Sequence, residues 1–123
     1  MSADADGVVA SSVEITEVAE GQRMLDAGEG PFSDAEWAYA RSKRDPGRRL
    51  AARLAAKRAA ATLLGVELSE IEILPARGGP PALRLSERAS GRLRALGGRR
   101  ALVSLTHGIA HAAASVLLVG DEG

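Results

Sequence analysis

Basic side chains crowd one stretch of this sequence. Residues 37–66 hold Arg41, Lys43, Arg44, Arg48, Arg49, Arg53, Lys57 and Arg58 against a single acid, Asp45, whereas residues 1–36 hold nine acids against Arg23 alone. A formal net charge of zero conceals this dipole. Guanidinium and ammonium groups packed this densely call for an anion. Three can supply it: a phosphate-bearing ligand, an acidic partner protein, or the chain's own acidic N-terminal segment. His107 and His111 are the two histidines, and histidine is the side chain that ordinarily titrates near neutrality. With no cysteine, disulfides, iron–sulfur clusters, thiolate zinc sites and a cysteine nucleophile are excluded, and two histidines are too few for an all-protein transition-metal centre. No GxGxxG, Walker, HExxH or GxSxG pattern occurs, so dinucleotide, P-loop, zinc-protease and hydrolase-elbow chemistry have no support.

The elements that must position these groups are well punctuated. Gly7–Ser11 reads as a short buried strand, with Val13, Ile15 and Val18 continuing into a turn or helix. Asp26–Pro31 is a loop. Ser33 followed by Glu36 makes a capping box that opens a short helix through Trp37, Tyr39 and Ala40. Asp45-Pro46-Gly47 reads as a turn, and Arg48 to Leu64, closed by Gly65, as the principal helix. At 100° per residue Lys57 falls inside that helix's apolar stripe, between the directions of Leu50 and Leu64. Such a lysine either snorkels past the core edge to water or aims its ammonium into a cleft. Ile71 and Ile73, then Leu83 and Leu85, mark two strands around a turn at Arg77–Pro81. Ser86 caps a helix to Leu96, and Ala101–Leu105 and His111–Val119 are two further strands. The fold class is α+β.

At 123 residues, 46% hydrophobic and 26% charged, the chain forms one domain over residues 7–119, with a flexible start at 1–6 and a flexible tail at 120–123. No apolar run reaches eighteen residues, and the opening MSADADG has no basic region, so neither a membrane association nor a secretory signal is expected and the location is cytoplasmic. Phe32, Trp37 and Tyr39 lie within eight residues of one another, which argues against a nucleic-acid-stacking surface.

Taken in order, GVVASSVEI, RLAARLAAKRAAATLLG, IEILPARGGPPALRL and ALVSLTHGIAHAAASVLLV resemble the holo-acyl-carrier-protein synthase family of 4′-phosphopantetheinyl transferases over residues 7–119. Arg53–Ala59 is similar to the family's RFAAKEA, Val103–His107 to its VSLSH or VSITH, and Gly78–Pro81 to its NGKP-type loop. Glu14-Ile15 match the end of its D-I-x-E-I/L pattern. The resemblance implies a small antiparallel sheet packed on a long helix, assembled as a homotrimer with interfacial clefts. It implies transfer of the phosphopantetheine arm of coenzyme A to a serine of an acyl carrier protein. A divalent cation, held by the pattern's aspartate and by the glutamate after the helix lysine, would neutralise the leaving pyrophosphate.

On this correspondence the aspartate falls on Ser11 and the glutamate on Arg58, so neither metal ligand is present and Mg²⁺ binding is doubtful. An arginine six residues beyond the aspartate, which docks the acidic carrier protein, falls on Glu17, and a later lysine on Thr62. Arg53, Lys57, Arg58, Gly79, Pro81 and His107 are the positions expected to bind coenzyme A or phosphate, with His107 and Lys57 as the catalytic candidates. His111 has no such match. The resulting expectation is a protein that has lost Mg²⁺-dependent transfer and binds or acts on a pantetheine-bearing acyl carrier protein or a coenzyme A thioester. The alternatives are an active transferase in which Arg58 replaces the metal, and a non-catalytic subunit of a mixed assembly.

Overall fold

A computed structural model describes residues 7–75, 78 and 80–120. In chain order the elements are strand β1 (Val8–Glu17), helix α1 (Val18–Ala27), helix α2 (Asp34–Arg41), helix α3 (Pro46–Leu64), a 3₁₀ turn (Leu68–Glu70), strands β2 (Ile71–Leu74) and β3 (Ala82–Leu85), helix α4 (Glu87–Ala95), and strands β4 (Arg100–His107) and β5 (His111–Val119). The α+β expectation holds. The strands form one antiparallel sheet in the order β1-β5-β4-β3-β2.

The first strand runs six residues past the expected Ser11, to Glu17. The reason is local: Val13, Ile15 and Thr16 are β-branched and favour the pleated conformation over a turn. Period-2 alternation then sorts β1 into two faces. Ala10, Ser12, Glu14 and Thr16 stand opposite Leu118, Val116, Ala114 and Ala112, all buried under α3, while Ser11, Val13 and Ile15 stand opposite Leu117, Ser115 and Ala113 on the other face. That other face is open: Val13 is 67% and Ile15 66% exposed, and Leu102 and Leu117, paired across β4 and β5, are exposed with them.

Asp45-Pro46-Gly47 begins α3 instead of forming a separate turn. Pro46 occupies its first turn, where a missing N–H costs nothing and a fixed φ is already helical. The helix is buried almost all round. Six alanines from Ala51 to Ala60 are fully or nearly fully covered, and their small size lets the sheet and α1 approach from different sides. Gly21 of α1 crosses α3 at Gly47 and Ala51, so closely that a Cβ there would overlap the Gly47 carbonyl oxygen and stand 2.7 Å from Ala51 N. Gly65 ends α3 at φ 68°, as its place after Leu64 predicts. Among the described residues no helix is long and apolar enough to cross a membrane.

Candidate functional site

Three of the residues expected to bind an anion come together. Arg53 of α3, Pro81 just before β3 and His107 at the end of β4 line one cleft of about 200 Å³ with Tyr39, Arg49, Ala52 and Leu105. Helix α3 presents Arg49, Ala52 and Arg53 on consecutive turns, and α2 lays Tyr39 against them. The Arg53 guanidinium stacks on the Tyr39 ring, 4.0 Å from its centroid. Arg53 is only 3% exposed, and its Nε has no hydrogen-bond partner. Nδ1 of His107 is likewise buried and unpartnered. Polar atoms of this kind are costly to leave unsatisfied. Burial pulls the Arg53 pKa below its ordinary value, against the attraction of Tyr39 and Glu36. Arg49 is already hydrogen-bonded to Asp45 at 3.0 Å, which holds that carboxyl below its usual range, with His107 adding a smaller pull. With Arg53 and Arg49 on its wall, the second paired to Asp45, the cleft carries net positive charge, the electrostatics that suit a phosphate or another small anion.

Lys57 lies one turn beyond Arg53 and does not join the cleft. It does not snorkel to water: the residue is 1% exposed, lines a separate cavity of about 210 Å³ with Phe32, Ser33 and Glu72, and its Nζ donates to Oε1 of Glu36, itself 1% exposed, at 2.5 Å. Burial lowers the Lys57 pKa and the Glu36 hydrogen bond opposes this. Glu36 does more than cap α2. Its Oε1 also accepts the Ser33 N–H at 2.9 Å and its Oε2 accepts the Ile73 N–H at 2.8 Å, while Ser33 Oγ donates to Glu72 at 2.6 Å. The start of α2 is thus fastened to both α3 and β2.

Arg58 faces yet another direction, toward the N-terminal segment. Its Nη1 and Nη2 donate to Oε1 and Oε2 of Glu20 at 3.1 and 2.6 Å. This bidentate pair raises the Arg58 pKa and lowers that of Glu20, and Glu14 adds its attraction to Arg58. The acidic N-terminal segment is therefore the anion for this part of the basic stretch. Ser11 is not in this group. It points to the open face of the sheet, whereas Glu14 lies on the helix side with Arg58, so a side chain at position 11 cannot share an ion with one at position 58. Among the described residues no three His, Cys, Asp or Glu side chains converge as metal ligands. Gly79 lies outside the described residues, and His111 is exposed at the start of β5.

Sequence reasoning passed over Tyr39, Arg49, Glu20 and Glu36 as site residues. For Glu36 a signal existed, since a capping-box acid beside a basic helix has a second use available. For Glu20 only the charge asymmetry hinted at a partner, without naming it.

No family model matches the chain. Among curated proteins it is similar to the holo-[acyl-carrier-protein] synthase of Moorella thermoacetica, with 42% identity over 92 residues that cover 71% of this chain and 72% of the relative. Among solved structures it is similar to the acyl carrier protein synthase of Mycobacterium tuberculosis, with 27% identity, a TM-score of 0.74, and coverage of 94% of this chain and 100% of that one. An ACPS–CoA complex from Chronobacterium ammoniagenes matches with 26% identity and a TM-score of 0.74, over 91% of this chain and 97% of its own. Sequence and fold agree over nearly the whole domain, and the chain belongs to the holo-[acyl-carrier-protein] synthase family.

Proposed function

We propose that this protein keeps the family's coenzyme A cleft and has given up Mg²⁺-dependent phosphopantetheinyl transfer, binding or acting instead on a pantetheine-bearing acyl carrier protein or a coenzyme A thioester. The observation that carries this reading is the Arg58–Glu20 pair, because the family resemblance has a metal-binding glutamate where Arg58 stands. The residues present do not fit Mg²⁺. A guanidinium inside the group repels a divalent cation, and two carboxylates already answer to it. No step is therefore routed through a metal. Arg53, with Arg49 beside it, holds a phosphate in the cleft, and His107, on the wall of the same cleft, is the acid–base group for the bound ligand. Lys57 spends its hydrogen bond on Glu36 and takes no direct part. The open sheet face carrying Val13, Ile15, Leu102 and Leu117 supports assembly as a homotrimer with clefts between subunits. The presence of coenzyme A in the Chronobacterium ammoniagenes structure supports the same ligand here.

One observation favours a second reading, an active transferase in which Arg58 replaces the cation. The pattern D-I-x-E-I/L fits this chain again three residues later, as Glu14-Ile15-Thr16-Glu17-Val18, and that register puts an acid on the helix side. The docking arginine six residues on then falls on Glu20, and the metal-binding glutamate remains at Arg58, so the two positions have exchanged charge and formed a pair. Glu14 is then the nearby acid available to accept a serine proton.

Intact-mass measurement of an apo acyl carrier protein, incubated with this protein, coenzyme A and either Mg²⁺ or excess chelator, separates the readings. The first expects no added phosphopantetheine arm, with coenzyme A binding in a parallel titration. Transfer that survives the chelator selects the second, and strictly Mg²⁺-dependent transfer refutes both.

A further inference from the structure

We infer that Lys57 is a positioning residue that keeps the Arg53 guanidinium free for a bound anion by holding Glu36 away from it. The inference rests on the reading of the Arg53 cleft as a coenzyme A or phosphate site. Helices α2 and α3 meet through two rungs. Glu36 reaches Lys57, and one turn later on α2 and one turn earlier on α3 Tyr39 stacks on Arg53. Three charges are thereby buried close together. Lys57 and Arg53 follow each other at four-residue spacing on α3 and repel, and Glu36 attracts both.

One carboxylate between two buried cations has a choice of partner. Its Oε1 accepts from Lys57 and from the Ser33 N–H, its Oε2 from the Ile73 N–H, and none of its hydrogen bonds comes from Arg53. Arg53 is left with an aromatic face on one side and an unpartnered Nε. An aromatic ring and a phenol supply no full negative charge, so the arrangement leaves Arg53 charged, buried and short of an anion. Without the Lys57 ammonium, the remaining buried cation that Glu36 attracts is Arg53. Glu36 would then turn toward it and supply internally the negative charge that the cleft otherwise takes from a ligand.

The test compares coenzyme A binding by calorimetry in the wild type, Lys57→Met and the double variant Glu36→Gln/Lys57→Met. Lys57→Met is expected to weaken binding at least tenfold, and the added Glu36→Gln to bring it back within about twofold of the wild type, because a neutral amide cannot neutralise Arg53. A loss of packing alone would be deepened by the second substitution, never rescued. A folded Lys57→Met that binds as the wild type does, or a double variant as weak as the single one, overturns the inference. If Lys57→Met does not fold, the double variant decides by itself, since a folded form that has lost binding refutes the proposal and one that retains it upholds it. The Arg53 Nε–H resonance gives a readout that needs no ligand. In the wild type its shift carries the Tyr39 ring current; it is expected to move in Lys57→Met and to return in Glu36→Gln/Lys57→Met, and an unmoved resonance refutes the inference. If the wild type binds no coenzyme A, the functional reading fails while this resonance still decides the role of Lys57.

Discussion

Replacing Arg58 with glutamate converts a paired site into an acidic one, and the size of the effect follows from the geometry. The bidentate pair with Glu20 has side chains 35% and 28% exposed, so its loss costs about 0.5–1 kcal/mol. The new carboxylate would stand near those of Glu20 and Glu14. At a separation of about 5 Å and an effective dielectric of about 60, each repulsion adds about 1 kcal/mol. Arg58→Glu should therefore destabilise the domain by roughly 2–3 kcal/mol in chelator, a fall in Tm of about 10 °C for a domain of this size. The same three carboxylates would now suit a hard divalent cation. With a Kd of about 0.1 mM, Mg²⁺ at about 10 mM would return about 2.7 kcal/mol and most of the lost Tm. The wild type, with a guanidinium in that place, should move by less than about 1 °C. Thermal unfolding followed by circular dichroism, with chelator and with Mg²⁺, reads both numbers. A folded Arg58→Glu protein as stable as the wild type in chelator, or one indifferent to Mg²⁺, would show that Glu14 and Glu20 do not converge on position 58.

Three further outcomes are expected. Gly21→Ala should cost about 2–3 kcal/mol in denaturant unfolding, because the added methyl overlaps the Gly47 carbonyl and forces α1 off α3; a cost below about 0.5 kcal/mol would contradict that close crossing. Val13→Lys with Ile15→Lys should reduce the sedimenting species from a homotrimer to a monomer, and a wild type that already sediments as a monomer would remove the assembly reading. Arg58 depresses the Glu20 pKa below its ordinary 4.5, so the pair's stabilisation is present above that value and is lost as pH falls through the lower folded one. Accordingly the Tm advantage of the wild type over Glu20→Gln should be constant near neutrality and vanish in acid, and an advantage that persists in strong acid would refute the ionic account.

Much of the fold was legible because its boundaries rest on local chemistry. The Ser33–Glu36 box, the Gly65 terminator and the Ser86 cap each report on a few neighbouring residues, and each stands where the sequence puts it. Errors arose where a distant element decides. The outward positions of β1 are apolar, so Val13 and Ile15 suggested a turn or helix, and only the open face explains them. Helical periodicity correctly set Lys57 among the apolar side chains. Its partner, however, lies 21 residues earlier on another helix, and no spacing rule reaches that far. The family pattern fits the first strand in two registers, and residue types alone do not choose between Ser11 and Glu14. The parity of β1 against β5 tells the two apart only by face, Ser11 on the open side and Glu14 on the helix side, because a shift of three residues exchanges the two faces of the strand.

The hydrogen bond from Ile73 to Glu36 bears on how copies of this chain can meet. β2 is an outer strand of the sheet, and such strands invite another chain to continue the ladder. Here the N–H in the middle of β2 is consumed by a buried carboxylate, so an incoming strand finds no donor there. At the opposite margin β1 is broken by a register shift between Val8 and Ala10. Growth by adding strands is thus discouraged at the middle of β2 and at the start of β1, and the remaining apolar surface available to another copy is the broad face that carries Val13 and Ile15.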